Sequence, residues 1–166
     1  MKIFPIMLLI LLAGSAQVKS QDKAPGDIRL LPGYHVKWSA GLDVVSATIE
    51  KKEGLIIHYV GGISEGRIVK KEDKSRYKWY REQIIDGRRF LLALTSADRK
   101  GGLDAGRKNS HGADLLLITY PWAADGAKAF VGESSASNFT VAVAGPEEMM
   151  DALLMVLTFD PTKGRF

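Results

Sequence analysis

The sequence predicts an α+β domain: an antiparallel sheet of five to seven strands built from hairpins, with a C-terminal amphipathic helix packed on one face. Three observations carry this expectation. Apolar and polar residues alternate over several short stretches, which is the period of a half-buried strand. The pair Asp86-Gly87 sits between two apolar runs, and such a pair joins antiparallel strands through a two-residue turn. After Gly145-Pro146 the apolar period lengthens to that of a helix.

Each element follows from local pattern. The segment "IRLLPGYHVKW" brings apolar Leu30 and Leu31, a Pro32-Gly33 turn and the aromatics Tyr34 and Trp38; it is expected to close the core from an edge. Val45, Ala47 and Ile49 alternate with Ser46, Thr48 and Glu50, and "LIIHYV" returns beyond a turn at 51–54, as in a hairpin. A charged stretch, 67–76, separates this hairpin from the next. In "YKWYREQII", Trp79, Arg81, Gln83 and Ile85 share one face and Tyr80, Glu82 and Ile84 the other; "RRFLLALTS" returns after the Asp-Gly turn. The nearly continuous apolar run "ADLLLITYP" reads as a strand covered on both faces. A weaker strand is expected over 127–131, and "NFTVAVAG" alternates with Phe139, Val141 and Val143 on one side. Pro146 suits the first helical position, and Glu147 and Glu148 complement the helix dipole. Met149, Leu153 and Val156 form one apolar stripe with Met150, Leu154 and Leu157 beside it, and Asp160-Pro161 ends the helix near Phe159.

The N-terminus has the three-part layout of a secretory signal peptide: Lys2, an apolar run over 3–12, then Ala13, Gly14, Ser15 and Ala16. Cleavage is expected after Ala16, with Ser20 as the alternative. The apolar run is shorter than the ~20 residues that span a bilayer, so no stable membrane span is expected after cleavage. Lipid attachment at a bacterial signal cleavage site needs a cysteine, and the chain has none. The same absence removes disulfides, thiolate metal sites and a cysteine nucleophile. The expected organisation is a signal peptide over 1–16, a flexible leader over 17–27 and a single domain over 28–166. The destination is export, to the periplasm or the extracellular medium. A net charge of +4, dispersed along 166 residues, speaks for solubility and against nucleic-acid binding.

Gly62-Ile63-Ser64-Glu65-Gly66 matches the G-x-S-x-G pattern of a serine-hydrolase nucleophile elbow. An elbow needs a strand, a strained turn and then a helix in a mostly parallel sheet. Here the following residues show no apolar helical stripe and the neighbouring pairings are hairpins, so Ser64 reads as part of a turn. A triad drawn from Ser64, Asp98 or Asp104, and His111 would place its acid and base in a glycine-rich charged loop, where fixed geometry is hard to hold. The histidines His35, His58 and His111 lack metal-site spacing, and no metal or other cofactor is expected. The loop 98–111 carries Arg99, Lys100, Arg107 and Lys108 among glycines and is a candidate anion cradle. Trp79, Tyr80, Tyr120 and Trp122 are candidate lining residues for a ligand pocket. Asn138-Phe139-Thr140 spells a glycosylation sequon but equally suits the start of a strand.

The blocks "DIRLLPGY", "IEKKEGLIIHY", "WYREQIIDG" and "DALLMVLTF" resemble segments of small exported bacterial proteins, a group to which no activity is assigned; the resemblance implies export without mechanism. The succession of hairpins, terminal strand and helix running into "LTFDP" resembles PsbP-like sandwich domains, named for a subunit of the photosystem II oxygen-evolving complex. Many of these are binding or assembly modules, although function does not follow from fold. The expected function is that of an exported, non-enzymatic domain. It would bind a protein partner or small ligand through the sheet face or loops opposite the helix. A small serine hydrolase using Ser64 and His111 and a purely structural envelope protein are the alternatives.

Overall fold

Two three-stranded meanders flank a strand that arrives last in the chain. The computed structural model describes residues 23–40, 44–62, 66–96, 114–122 and 136–163. The first meander is β1 (His35–Ala40), β2 (Val44–Glu50) and β3 (Ile56–Gly62). The second is β4 (Trp79–Ile85), β5 (Arg88–Ser96) and β6 (Asp114–Pro121). Strand β7 (Ala136–Val143) lies between β3 and β6, giving the order β1-β2-β3-β7-β6-β5-β4 in one seven-stranded sheet. Every pairing is antiparallel. The helix α1 (Pro146–Val156) follows directly, so the expected α+β class holds, with seven strands. The strand expected over 127–131 lies outside the described residues.

Turn chemistry sets the registers. Asp86 and Gly87 both adopt positive φ, 51° and 74°, which is what a two-residue turn needs to match the twist of its strands. At the β2–β3 turn the Gly54 N–H donates to the Lys51 carbonyl at 3.1 Å, and Glu53 takes the left-handed conformation. β1 is an edge strand, as the sequence suggested.

Both faces of the middle of the sheet are covered. All eight residues of β7 are buried, and β6 is buried throughout except at its ends. The alternation of "NFTVAVAG" suggested a half-buried strand; the central position of β7 instead gives each of its faces a cover. On the front face, Ala152, Met155 and Val156 of α1 pack over the sheet. A four-ring cluster lies beneath the end of the helix. Phe159 sits 4.9 Å from Tyr120, 5.1 Å from Phe139 and 5.8 Å from Tyr59, centroid to centroid.

The end of the helix is also where polar groups are satisfied. The Tyr120 hydroxyl donates to the Val156 carbonyl at 2.9 Å, meeting one of the acceptors that a helix leaves without a partner at its C-terminus. Burial pushes the Tyr120 phenol well above its ordinary pKa, so it remains a donor at any physiological pH. Arg88 donates to the Phe159 carbonyl at 3.0 Å. Residues 25–27, assigned from sequence to the end of a flexible leader, form a short 3-10 turn with Pro25 and Gly26 buried. Gly26, at φ 52°, lies so close to the Phe159 ring that a Cβ would collide with it, and its carbonyl accepts from Asp160 N–H at 2.8 Å. In the second apolar stripe of the helix, Leu157 is partly buried against the core, whereas Met150 and Leu154 are 57% and 54% exposed. A helix lying on one sheet offers it only part of its circumference, and the row centred on Ala152 takes that place.

Replacing Phe159 with alanine is expected to cost about 3–5 kcal/mol in denaturant unfolding, whereas Met150→Gln should stay within about 0.5 kcal/mol of the parent. Equal effects of the two would contradict the face assignment.

Candidate functional site

The charged stretch between the meanders has to carry the chain from β3, beside the centre of the sheet, to β4 at its far edge. It does so across the back face, opposite α1, as a strap over 66–78. Val69 is the anchor: it is fully buried with Leu91, Ala93, Leu115, Leu117 and Ala142, and Ile68, Tyr77 and Tyr80 pack around them. A segment laid across strands finds no ladder to satisfy its backbone, so its amides need side-chain partners. The Ile68 N–H donates to Asn138 Oδ1 at 3.3 Å and the Val69 N–H to Thr119 Oγ1 at 3.1 Å. Asn138 Nδ2 in turn donates to the Gly66 carbonyl at 2.8 Å, and the Thr119 hydroxyl donates to Asn138 Oδ1 at 2.8 Å. Further along, the Lys70 N–H donates to the Tyr77 hydroxyl at 3.2 Å. Residues Lys71–Arg76 then form a 3-10 helix, and Lys78 leads into β4 through its N–H bond to the Leu94 carbonyl and its ion pair with Asp114.

Between the strap and the outer back face lies a cleft of about 400 Å³, within the size range of small-molecule sites. Val69 and Leu91 supply apolar lining, while Arg67, Lys70, Lys71 and Arg89 supply positive charge and Glu72 a carboxylate. Arg89 is held by Glu82 at 2.7 Å. Arg67 is different: its Nε is buried and has no hydrogen-bond partner among the described residues. The other two buried side-chain polar atoms in that condition, His58 Nε2 and the Tyr80 hydroxyl, also belong to the back face. Leaving a buried donor unmet costs about 1–3 kcal/mol. A guanidinium in that state, with two lysines beside it, suits a carboxylate or phosphate that can accept its N–H groups. Tyr80 borders the same region, and its ring stacks on Tyr77 with centroids 6.2 Å apart. Burial, with the Glu82 charge adding to it, raises the Tyr80 pKa and keeps the phenol neutral.

The aromatics singled out from sequence are not gathered into one pocket. Tyr80 pairs with Ala93 and faces the strap, whereas Trp79 pairs with Leu94 on the front side of β4. Tyr120 is 2% exposed within the front core, with its hydroxyl committed to the end of α1. Trp122 lies past the other end of β6 and donates to Ser137 Oγ at 3.1 Å. Register separates these residues, because neighbours in sequence alternate faces and the two tryptophans lie at opposite ends of the sheet. Ser64, His111, Arg99, Lys100, Arg107 and Lys108 lie outside the described residues. The strand before Ser64, β3, runs antiparallel to both its neighbours, and the next helical segment is the 3-10 turn at Lys71–Arg76. That is not the strand-turn-helix setting of a nucleophile elbow. Among the described residues, no group of three or more His, Asp or Glu side chains could hold a metal ion.

The sequence pattern gave no site role to Arg67, Lys70, Lys71 or Asn138, the last of which stood out only as a sequon and a strand start. One signal was present: Ile68-Val69 is an apolar pair inside an otherwise charged run, which marks a point where the run must touch the core. Asn138→Ala should strip partners from Ile68 N–H, the Gly66 carbonyl and the Thr119 hydroxyl at once. The expected outcome is a loss of roughly 1–3 kcal/mol, with amide exchange accelerated at Ile68 and Val69 more than at Val141. Uniform acceleration would show that Asn138 serves the sheet and not the strap. No family model, curated protein or solved structure matches the chain.

Proposed function

We propose that the chain is an exported, non-enzymatic binding domain that takes a small anionic ligand in the cleft beneath the strap. The observation that carries this reading is Arg67, whose buried Nε lacks a partner among the described residues while it lines a cleft shared with Lys70 and Lys71. Val69 and Leu91, both buried, close the floor of the cleft with apolar side chains. Export is supported by the layout of residues 1–16, with a charged start, an apolar run and small residues before the expected cleavage point. Among the two kinds of partner that the sequence suggests, a protein and a small ligand, a cleft of this size and charge favours the ligand.

Titration with inorganic phosphate and with methyl phosphate, followed by amide chemical shifts, tests the reading. Saturable shifts are expected at Gly66–Glu72 and at Arg89 and Leu91. Arg67→Gln should weaken binding roughly tenfold or more, the scale of a lost hydrogen bond to a charged group, while Lys37→Gln on β1 should leave it unchanged. Absent shifts, or shifts scattered over all surface lysines, would defeat the assignment.

A further inference from the structure

The β4–β5 hairpin ends in a tip whose two isoleucines its own fold leaves uncovered. Ile84 is 71% exposed and Ile85 38%. They lie on opposite faces of the strand, as consecutive residues must, and each stands opposite an arginine: Ile84 pairs with Arg89 and Ile85 with Arg88. A flat protein partner would cover one face of the hairpin and leave the other isoleucine in water. A medium that surrounds the tip removes both from water together. We propose that this tip docks end-on into the headgroup layer of an anionic lipid bilayer, with Ile84 and Ile85 at the acyl boundary and the lipid phosphates around Arg81 and Arg89 and at the mouth of the cleft.

Charge and spacing support that occupant. Arg89 faces both Ile84, across one strand spacing of about 4.8 Å, and the cleft, whose lining also holds Lys70 and Lys71. An apolar side chain next to a cluster of cations is the pattern by which surface-bound segments hold to anionic membranes. Arg81 adds a cation on the front side of β4, in register with Leu92. Glu82, Asp86 and, in the cleft, Glu72 oppose the attraction, but Glu82 is already paired with Arg89, and Asp160 with Arg88. No helix among the described residues is long and apolar enough to cross a membrane, and docking of a hairpin tip requires none. The inference rests on the proposed anion-binding cleft for its phosphate contacts and on the hairpin tip for insertion.

Because the chain contains no cysteine, Ile84→Cys accepts a single environment-sensitive nitrobenzoxadiazole label. The intact labelled chain is mixed with phosphatidylcholine vesicles, with or without phosphatidylglycerol, and some vesicles carry a lipid-borne quencher. The expected result is a blue shift and quenching at position 84 only when phosphatidylglycerol is present, with no response from a label at Lys37→Cys on the distant β1 edge. Adding Arg81→Gln and Lys71→Gln should lower vesicle affinity roughly tenfold or more. No response at position 84, an equal response to phosphatidylcholine alone, or the same response at position 37 would each overturn the docking. A parallel titration with glycerol phosphate separates the two readings. Shifts in the cleft without insertion at 84 leave the cleft reading standing and defeat the docking. Insertion without shifts in the cleft supports docking through the hairpin's own side chains and defeats the cleft reading.

Discussion

The structure depends on β7 being paired on both sides. It is the last strand made, yet its backbone supplies the ladders that join β3 to β6 and so turn two meanders into one sheet. A strand in that place has no solvent for its backbone groups and little for its side chains. Each face therefore needs a cover, and the chain provides two of different kinds: a helix in front and a strap behind. The long sequence separation of the β3–β7 pairing means that the sheet closes only after most of the chain is available.

The front cover is apolar and works through shape. Phe159, just beyond α1, fills the space between Tyr59, Tyr120 and Phe139, and the backbone at Gly26 comes close enough to exclude a side chain there. The result ties the start of the described chain to its end. Tyr120 contributes to both aspects: its ring belongs to the cluster and its hydroxyl completes the C-terminus of the helix. That double commitment is the reason a residue suggestive of a ligand pocket serves the core.

The back cover is held by polar side chains that point from the sheet into the strap. Asn138 and Thr119 would be costly in the centre of a sheet if they were unpaired, and the strap's amides would be costly without them. Each solves the other's requirement. The strap brings Arg67, Lys70 and Lys71 along with Val69, so the segment that shields the sheet also lines the cationic cleft. Stability and the candidate site thus share one segment of chain.

Local pattern was enough to mark most of the strands, the turn at Asp86-Gly87 and the helix from Pro146, because period, turn propensity and helix-start residues are properties of a few consecutive positions. It also indicated that β6 is covered on both faces, since an unbroken apolar run leaves no polar side to expose. Tertiary structure alone decided that β7 enters the middle of the sheet, that the charged run over 67–76 crosses the back face, and that Met150 and Leu154 remain exposed while Ala152 is buried. It also decided which charged residues meet: Arg67 and Lys70 lie far from Arg89 in sequence and share a cleft with it only because the strap crosses β5 there. The aromatic quartet shows the same limit from the other side, since residues that look alike in sequence were parted by strand register. Local pattern encodes which face of an element is apolar; which elements those faces meet is set by pairings between distant segments, and no short window contains both partners.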